Sequence, residues 1–409
     1  MNPLLPELCF MPDAEAHVMP DGRLYLYGSW DLSGNPGYCS GVMHTYSTDD
    51  MVHFTDHGVI FENTEEHRGM PWSQSTVLYA PDAIHKGGKY YLYVCADRGE
   101  EGVAVADHPA GPFSCAEPVV GADGRGIDPA VFVDEDGQVY YLWGQFSLHS
   151  AKLADDMKTI IPDSEKTDIL TEWEHGFHEG SSMRRRGDKY YIVYTDISRG
   201  RATCLSYAVS EHPLGPYKKG GVIIDNVGCD PKSWNNHGSI ECFGGQWYVF
   251  YHRSSQNGQT CRRVCAEPIF FDENGMIAEV RQTSSGAEWA LSPALIPARI
   301  ACRMMGECCI TERDGREVLL VSGGGHWGQR DWAEYRYIDF GDGTLSQASF
   351  CVKGSGSITV KTEDGEVCAL TFDSTDYETV TVPTAEIAGR RAIWLFFAGD
   401  FVLREFGFQ

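Results

Sequence analysis

The chain has 409 residues, enough for two or three domains with separate cores. Its 58 acidic against 33 basic side chains leave a formal net charge of −25, which argues against binding a nucleic-acid backbone or an anionic membrane. Aromatic residues make up 12% and glycines number 45, a composition suited to strands and tight turns and unlike that of a disordered chain.

Met1 to Cys9 carry no basic segment and no apolar segment of useful length, and no run of 18 apolar residues occurs, so no leader or membrane span is read. The 14 cysteines are scattered without a Cys-x-x-Cys pair and read as buried free thiols, not zinc ligands. Together these features lead to the expectation of a cytoplasmic protein.

A short aromatic strand recurs five times over the first 300 residues. It opens at Gly22-Arg23-Leu24-Tyr25, Gly88-Lys89-Tyr90-Tyr91, Gly137-Gln138-Val139-Tyr140, Asp188-Lys189-Tyr190-Tyr191 and Gly245-Gln246-Trp247-Tyr248. Each copy begins at a turn and continues in β-formers, the pattern of a hairpin's second strand. Aligned tyrosines (Tyr25, Tyr91, Tyr140, Tyr191 and Tyr248) recur about every 50–65 residues, which fits propeller blades. The expected fold is all-β: a five-bladed β-propeller over residues 1–298, followed by a smaller β-sandwich over 299–409.

Twelve residues before each aligned tyrosine stand Asp13, Tyr79, Asp128, Glu179 and Asn236. In a propeller blade the strand before this hairpin lines the central axis. Three carboxylates at one register therefore converge on one funnel. Converging carboxylates split their pKa values, which equips them as general acid and general base. Binding a cation through oxygen ligands is the second use of such a cluster, and satisfied turn acids are the third reading.

At these residues the sequence resembles glycoside hydrolase family 43, over about residues 8–290. Pro12-Asp13-Ala14-Glu15-Ala16-His17-Val18 is similar to the family's Asp-Pro-Ser-Ala-His-Val opening. Tyr79-Ala80-Pro81-Asp82, Gly126-Ile127-Asp128-Pro129 and Glu179-Gly180 resemble its next acidic motifs. Asn236-His237-Gly238-Ser239-Ile240, Tyr251-His252-Arg253 and Arg262-Arg263-Val264 resemble its fifth-blade segments. Ala14 in place of Pro and Tyr79 in place of Trp depart from the pattern.

The resemblance implies an inverting hydrolase of arabinose- and xylose-containing plant polysaccharides. Asp13 would be the general base, Glu179 the general acid and Asp128 the group that tunes the acid. An inverting pair stands roughly 6.5–9.5 Å apart, leaving room for water. His237 matches a family histidine near the funnel centre, where some members hold calcium; no cofactor is required for the chemistry. Arg262 is favoured over Arg263 to reach the pocket, since strand alternation sends the other outward. Trp72, Trp30 and Trp143 are candidate sugar platforms, or core between blades.

Residues 299–409 show no further blade repeat and read as short strands, among them Glu317–Val321, Tyr335–Phe340, Ser357–Val360, Thr379–Val382 and Ala392–Phe397. This segment resembles a shortened family 6 carbohydrate-binding module, with Trp327 or Trp332 as its xylan contacts. A domain that only braces the propeller is the favoured alternative. Expected substrates are xylo- or arabino-oligosaccharides, cut by an exo-acting α-L-arabinofuranosidase or β-D-xylosidase. An endo-arabinanase of the same fold, a non-catalytic sugar-binding propeller and a retaining fructosidase-like enzyme remain open, as does the oligomeric state.

Overall fold

The structure is a computed structural model that describes residues 1–122, 126–323, 331–343 and 345–409. Five antiparallel sheets follow one another along the chain and form the blades of a propeller. Blade I holds Glu15–Val18, Leu24–Gly28, Val42–Thr48 and Phe54–Glu62. Blade II runs from Tyr79–Lys86 to Glu117–Pro118, and blade III from Ala130–Val133 to Lys166–Thr171. Blade IV begins with Phe177–Arg186 and ends with Lys218–Asp225. Blade V has three strands, Ile240–Phe243, Gln246–Arg253 and Arg263–Ile269. All five repeated tyrosines lie on second strands, as their turn-then-aromatic pattern predicts.

The tyrosine repeat has a packing reason. Side chains alternate across a strand, so a Tyr-Tyr pair sends one ring to each face of its blade. Tyr190 enters the core between blades III and IV, and Tyr191 the core between blades IV and V. Blades I and II, II and III, and V and I each share a similar core. The ring is thus held by five apolar interfaces, each fed by both of its blades.

Alternation also fills the axis. Along Asp13-Ala14-Glu15-Ala16-His17, the two alanines are fully buried in the core between blades V and I. Asp13, Glu15 and His17 therefore share the other face, toward the axis. There Arg184, from the inner strand of blade IV, donates to Ala16 O at 2.6 Å and to Glu15 Oε2 at 3.2 Å. Its Nε donates to Glu241 Oε2 of blade V at 3.0 Å. His17 Nε2 lies 2.6 Å from Asp82 Oδ1 of blade II, whose Oδ2 accepts from Val131 N–H of blade III at 2.7 Å. One buried polar network touches all five blades. Burial, with the charge of Asp82 added, pushes the Glu15 carboxyl well above the usual carboxylate range.

The C-terminal residues form an eight-stranded antiparallel sheet folded over its own apolar core. Its last strand, Arg390–Phe408, pairs with Ile296–Pro297, Arg316–Val321, Asp331–Asp339 and Gln347–Thr362. Short strands were expected here, but Gln347–Thr362, Gly365–Pro383 and Arg390–Phe408 are long and continuous. Glycines form bends within these strands. Gly354 (φ 117°) and Gly399 (φ 108°) sit where a Cβ would fall 2.5 Å from Asp400 O and 2.3 Å from Ser355 O. Only glycine allows that backbone conformation and that approach.

Replacing Arg184 by Met should leave Glu241 and the axial acids without their cation. The expected loss is about 3–5 kcal/mol of unfolding free energy in urea titrations, with Lys recovering part of it. A loss under about 1 kcal/mol would remove the axial network from any role in holding the ring.

Candidate active site

A cavity of about 320 Å³ opens at one end of the axis. Asp13, Asp128 and Glu179 all line it, with His237 and Arg262. Local backbone explains how three blades aim acids at one point. Asp13 (φ 58°) and Asp128 (φ 57°) adopt the left-handed conformation just before their inner strands, where a short polar side chain is tolerated. Glu179 is followed by Gly180 at φ 66°, where a Cβ would lie 2.9 Å from His237 Nδ1. Strained positions of this kind persist where surrounding structure holds them.

Arg262 is the fixed cation of the pocket. Its Nε and Nη2 donate to the two oxygens of Asp31, each at 2.9 Å, a bidentate clamp. The remaining nitrogen, Nη1, donates to Asp13 Oδ1 at 2.8 Å. Tyr38 lies over the guanidinium at 4.9 Å. Arg263 points the other way, donating to Arg299 O at 3.1 Å. Alternation at this pair therefore sends Arg262 inward.

The carboxyls differ in environment. Burial works against charge on Asp13, but the adjoining Arg262 guanidinium outweighs it and holds Asp13 below the usual range. His252 is itself driven down to about 3 by burial and Arg262, so it is neutral. Its Nδ1 accepts from Asp13 N–H at 3.5 Å. Asp128 shifts the opposite way: burial, then the charges of Glu179 and Asp13, push it well above the carboxylate range. Glu179 is half-buried, and its Oε2 accepts from Gln145 Nε2 at 2.8 Å. Asp13 is thus held in its charged form, while burial and the neighbouring carboxyls work against charge on Asp128.

The three tryptophans expected as sugar platforms are not among the residues lining this cavity. Trp143 is fully buried between blades II and III, with its ring 5.6 Å from that of Tyr141. Trp30 stacks on His44 at 3.8 Å and packs against the core between blades V and I. Trp72 donates to Ala116 O at 3.0 Å and packs against the core between blades I and II. Apolar blade interfaces claim these rings. The aromatic lining instead comes from Tyr38, Tyr79 and Trp234, the last 41% exposed. Sequence reasoning missed Tyr38, Trp234, Asp31 and Gln145. Asp31 adjoins Trp30 and Gln145 stands two residues after Trp143, so both neighbours had been singled out. Trp234 stands three residues before His237.

Among the described residues, one group brings three histidine or carboxylate ligand atoms within 4.8 Å of one another: Glu15, His17 and Asp82. It does not fit a divalent cation. Arg184 Nη2 is 3.2 Å from Glu15 Oε2 and 3.4 Å from His17 Nε2, so the positive charge is already supplied. His237 Nδ1 lies 3.9 Å from Asp13 Oδ1 and 3.9 Å from Asp128 Oδ2. Asp13 is taken by Arg262, and burial with neighbouring carboxyls works against charge on Asp128. Calcium takes six to eight oxygen ligands, so beside His237 waters would have to complete most of its shell.

The sequence profile of glycosyl hydrolases family 43 matches residues 2–277. A xylosidase/arabinosidase of Thermoclostridium stercorarium is 33% identical over 346 residues, 74% of this chain and 72% of that protein. A family 43 β-xylosidase/α-arabinofuranosidase from a compost microbial metagenome, solved with xylotriose in a calcium-free form, superposes with a TM-score of 0.58. It is 29% identical and covers 68% of this chain and 97% of its own. A Bacillus subtilis arabinoxylan arabinofuranohydrolase, solved with cellotetraose, is similar in fold across the whole chain. It covers 100% of this chain and 97% of its own, with a TM-score of 0.59 at 23% identity. With the profile spanning the entire propeller and every acidic motif in its blade, the chain belongs to glycosyl hydrolases family 43.

Proposed function

We propose that this chain is an inverting exo-glycosidase that removes terminal α-L-arabinofuranosyl or β-D-xylosyl units from hemicellulose-derived oligosaccharides. The observation that carries the reading is the set of carboxyls in one small cavity: Asp13, bound by an arginine, with Asp128 and Glu179 lining the same space free of any such clamp among the described residues. Relatives named for both xylosidase and arabinosidase activity support the substrate class. A cavity of about 320 Å³ lies at the lower end of the ligand-pocket range and suits a single pentose, which favours exo over endo action.

Asp13 acts as general base. Arg262 keeps it charged and orients it, and it takes a proton from the water that attacks the anomeric carbon. Glu179 acts as general acid, giving its proton to the glycosidic oxygen as the carbon–oxygen bond breaks. Asp128 keeps that proton available, because two neighbouring carboxyls in a buried site do not both ionise. The water oxygen ends on the face opposite the departed sugar, which inverts the configuration. Afterwards Asp13 loses a proton to solvent and Glu179 regains one. No step passes through calcium.

The C-terminal sheet, which resembles a family 6 carbohydrate-binding module, is proposed to brace the propeller. Arg263 and Glu317 are buried across the junction, and Arg316 binds Glu7 at 2.7 and 2.9 Å. Trp332 is half-buried, with the Arg303 guanidinium 6.0 Å from its ring. Trp327 lies outside the described residues. Action in the cytoplasm, on imported oligosaccharides, is also proposed; free thiols at all 14 cysteines support a reducing compartment.

Hydrolysis of nitrophenyl arabinofuranoside or xyloside, with NMR of the first-formed sugar, tests the whole reading. Inverted product is expected; activity on neither substrate would sink it, and retained configuration would make Asp13 a nucleophile. Glu179→Gln should lower kcat on unactivated oligosaccharides about 10²–10⁴-fold but spare substrates with good leaving groups. Equal loss on both would deny Glu179 the acid's role. Because Arg262 holds the Asp13 pKa down, Arg262→Gln should move the acid limb of kcat/KM up by about one to three pH units. An unmoved limb would mean that another group governs it.

A further inference from the structure

Glu179 must touch the glycosidic oxygen, so the departing sugar has to lie on the Glu179 side of the cavity. This argument rests on the glycosidase reading above. Beside the cavity lining on that side, and not itself part of it, stands Phe146, next in sequence to Gln145, the donor to Glu179. Its backbone N–H donates to His178 O at 2.8 Å, and its carbonyl accepts from Glu172 N–H at 2.9 Å. Its ring meets His178 at 5.1 Å and 73°, edge to face. His178, immediately before Glu179, lines the cavity and is held by Glu172 Oε1 at 2.8 Å from Nδ1.

Two features of Phe146 run against folding preference. The ring is 50% exposed, where burial would stabilise it. Its backbone is left-handed, at φ 64°, a conformation uncommon for a bulky residue. Residues that break both rules beside a catalytic group cluster at ligand-holding sites.

We propose that Phe146, braced by His178, is the platform for the sugar on the leaving-group side. Its flat apolar face takes the C–H face of a pentose ring. Phe146 then selects oligosaccharides over small aglycones without touching the reacting atoms.

Phe146→Gly separates the platform from its backbone strain, because glycine adopts φ 64° freely. The test compares kcat/KM for the nitrophenyl glycoside of the pentose removed with kcat/KM for the matching xylotriose-based oligosaccharide. The Gly variant should unfold at an equal or higher temperature than wild type. Its oligosaccharide-to-nitrophenyl ratio should fall at least tenfold, mainly through KM, and Phe146→Trp should keep the ratio near wild type. A ratio within twofold of wild type in the Gly variant would overturn the subsite while leaving the glycosidase reading intact. A wild-type enzyme inactive on both substrates would overturn both.

Discussion

The molecule depends on a buried guanidinium at the propeller axis. Arg184 reaches from blade IV to the carbonyl of Ala16 and the carboxyl of Glu15 in blade I, and to Glu241 in blade V. Apolar interfaces hold neighbouring blades together in pairs, but they are non-directional and tolerate sliding. Hydrogen bonds to a buried cation do not tolerate it, because a lost partner leaves an uncompensated charge. The network therefore fixes register around the ring. Asp13 stands two residues before Glu15, at the start of one inner strand, and Glu179 stands five residues before Arg184 on another. The axis thus sets where the two proposed reacting groups stand relative to each other.

The cavity solves the same electrostatic problem one layer along the axis. Acids are crowded into a buried space, and one arginine decides which of them is charged. Arg262, locked by Asp31, spends its remaining nitrogen on Asp13. Asp128 has no such partner and is pushed up by burial and its neighbours. The asymmetry between base and acid is therefore a matter of where one guanidinium points. Chemically similar carboxyls acquire different roles from their surroundings alone.

Aromatic residues divide by the same logic of burial. Tyrosines in adjacent pairs serve two blade interfaces each, which leaves none of their faces for ligand. Trp30, Trp72 and Trp143 are drawn into or against those interfaces as well. Rings that remain near the cavity, such as Trp234 and Phe146, come from loops between strands, where no neighbouring blade competes for them.

The sequence alone carried the ring of blades, because a turn followed by paired aromatics is a local pattern that repeats at blade length. It also carried Asp13, Asp128 and Glu179, since residues at one register of repeated strands must share one place in the fold. Arg262 was legible by alternation against Arg263. Other features depend on distance across the ring and have no local sign. Asp31 clamps Arg262 from 231 residues away in the chain, and Arg184 meets Glu15 from two blades away around the ring. Whether a tryptophan faces solvent or a neighbouring blade depends on what that blade presents. The long C-terminal strands escaped notice because a glycine bend and a glycine turn look alike until the partner strand is in place. Local periodicity determined the elements and the shared register of the acids; only closure of the ring decided which charges met, because Coulomb interaction and burial act through space and not along the chain.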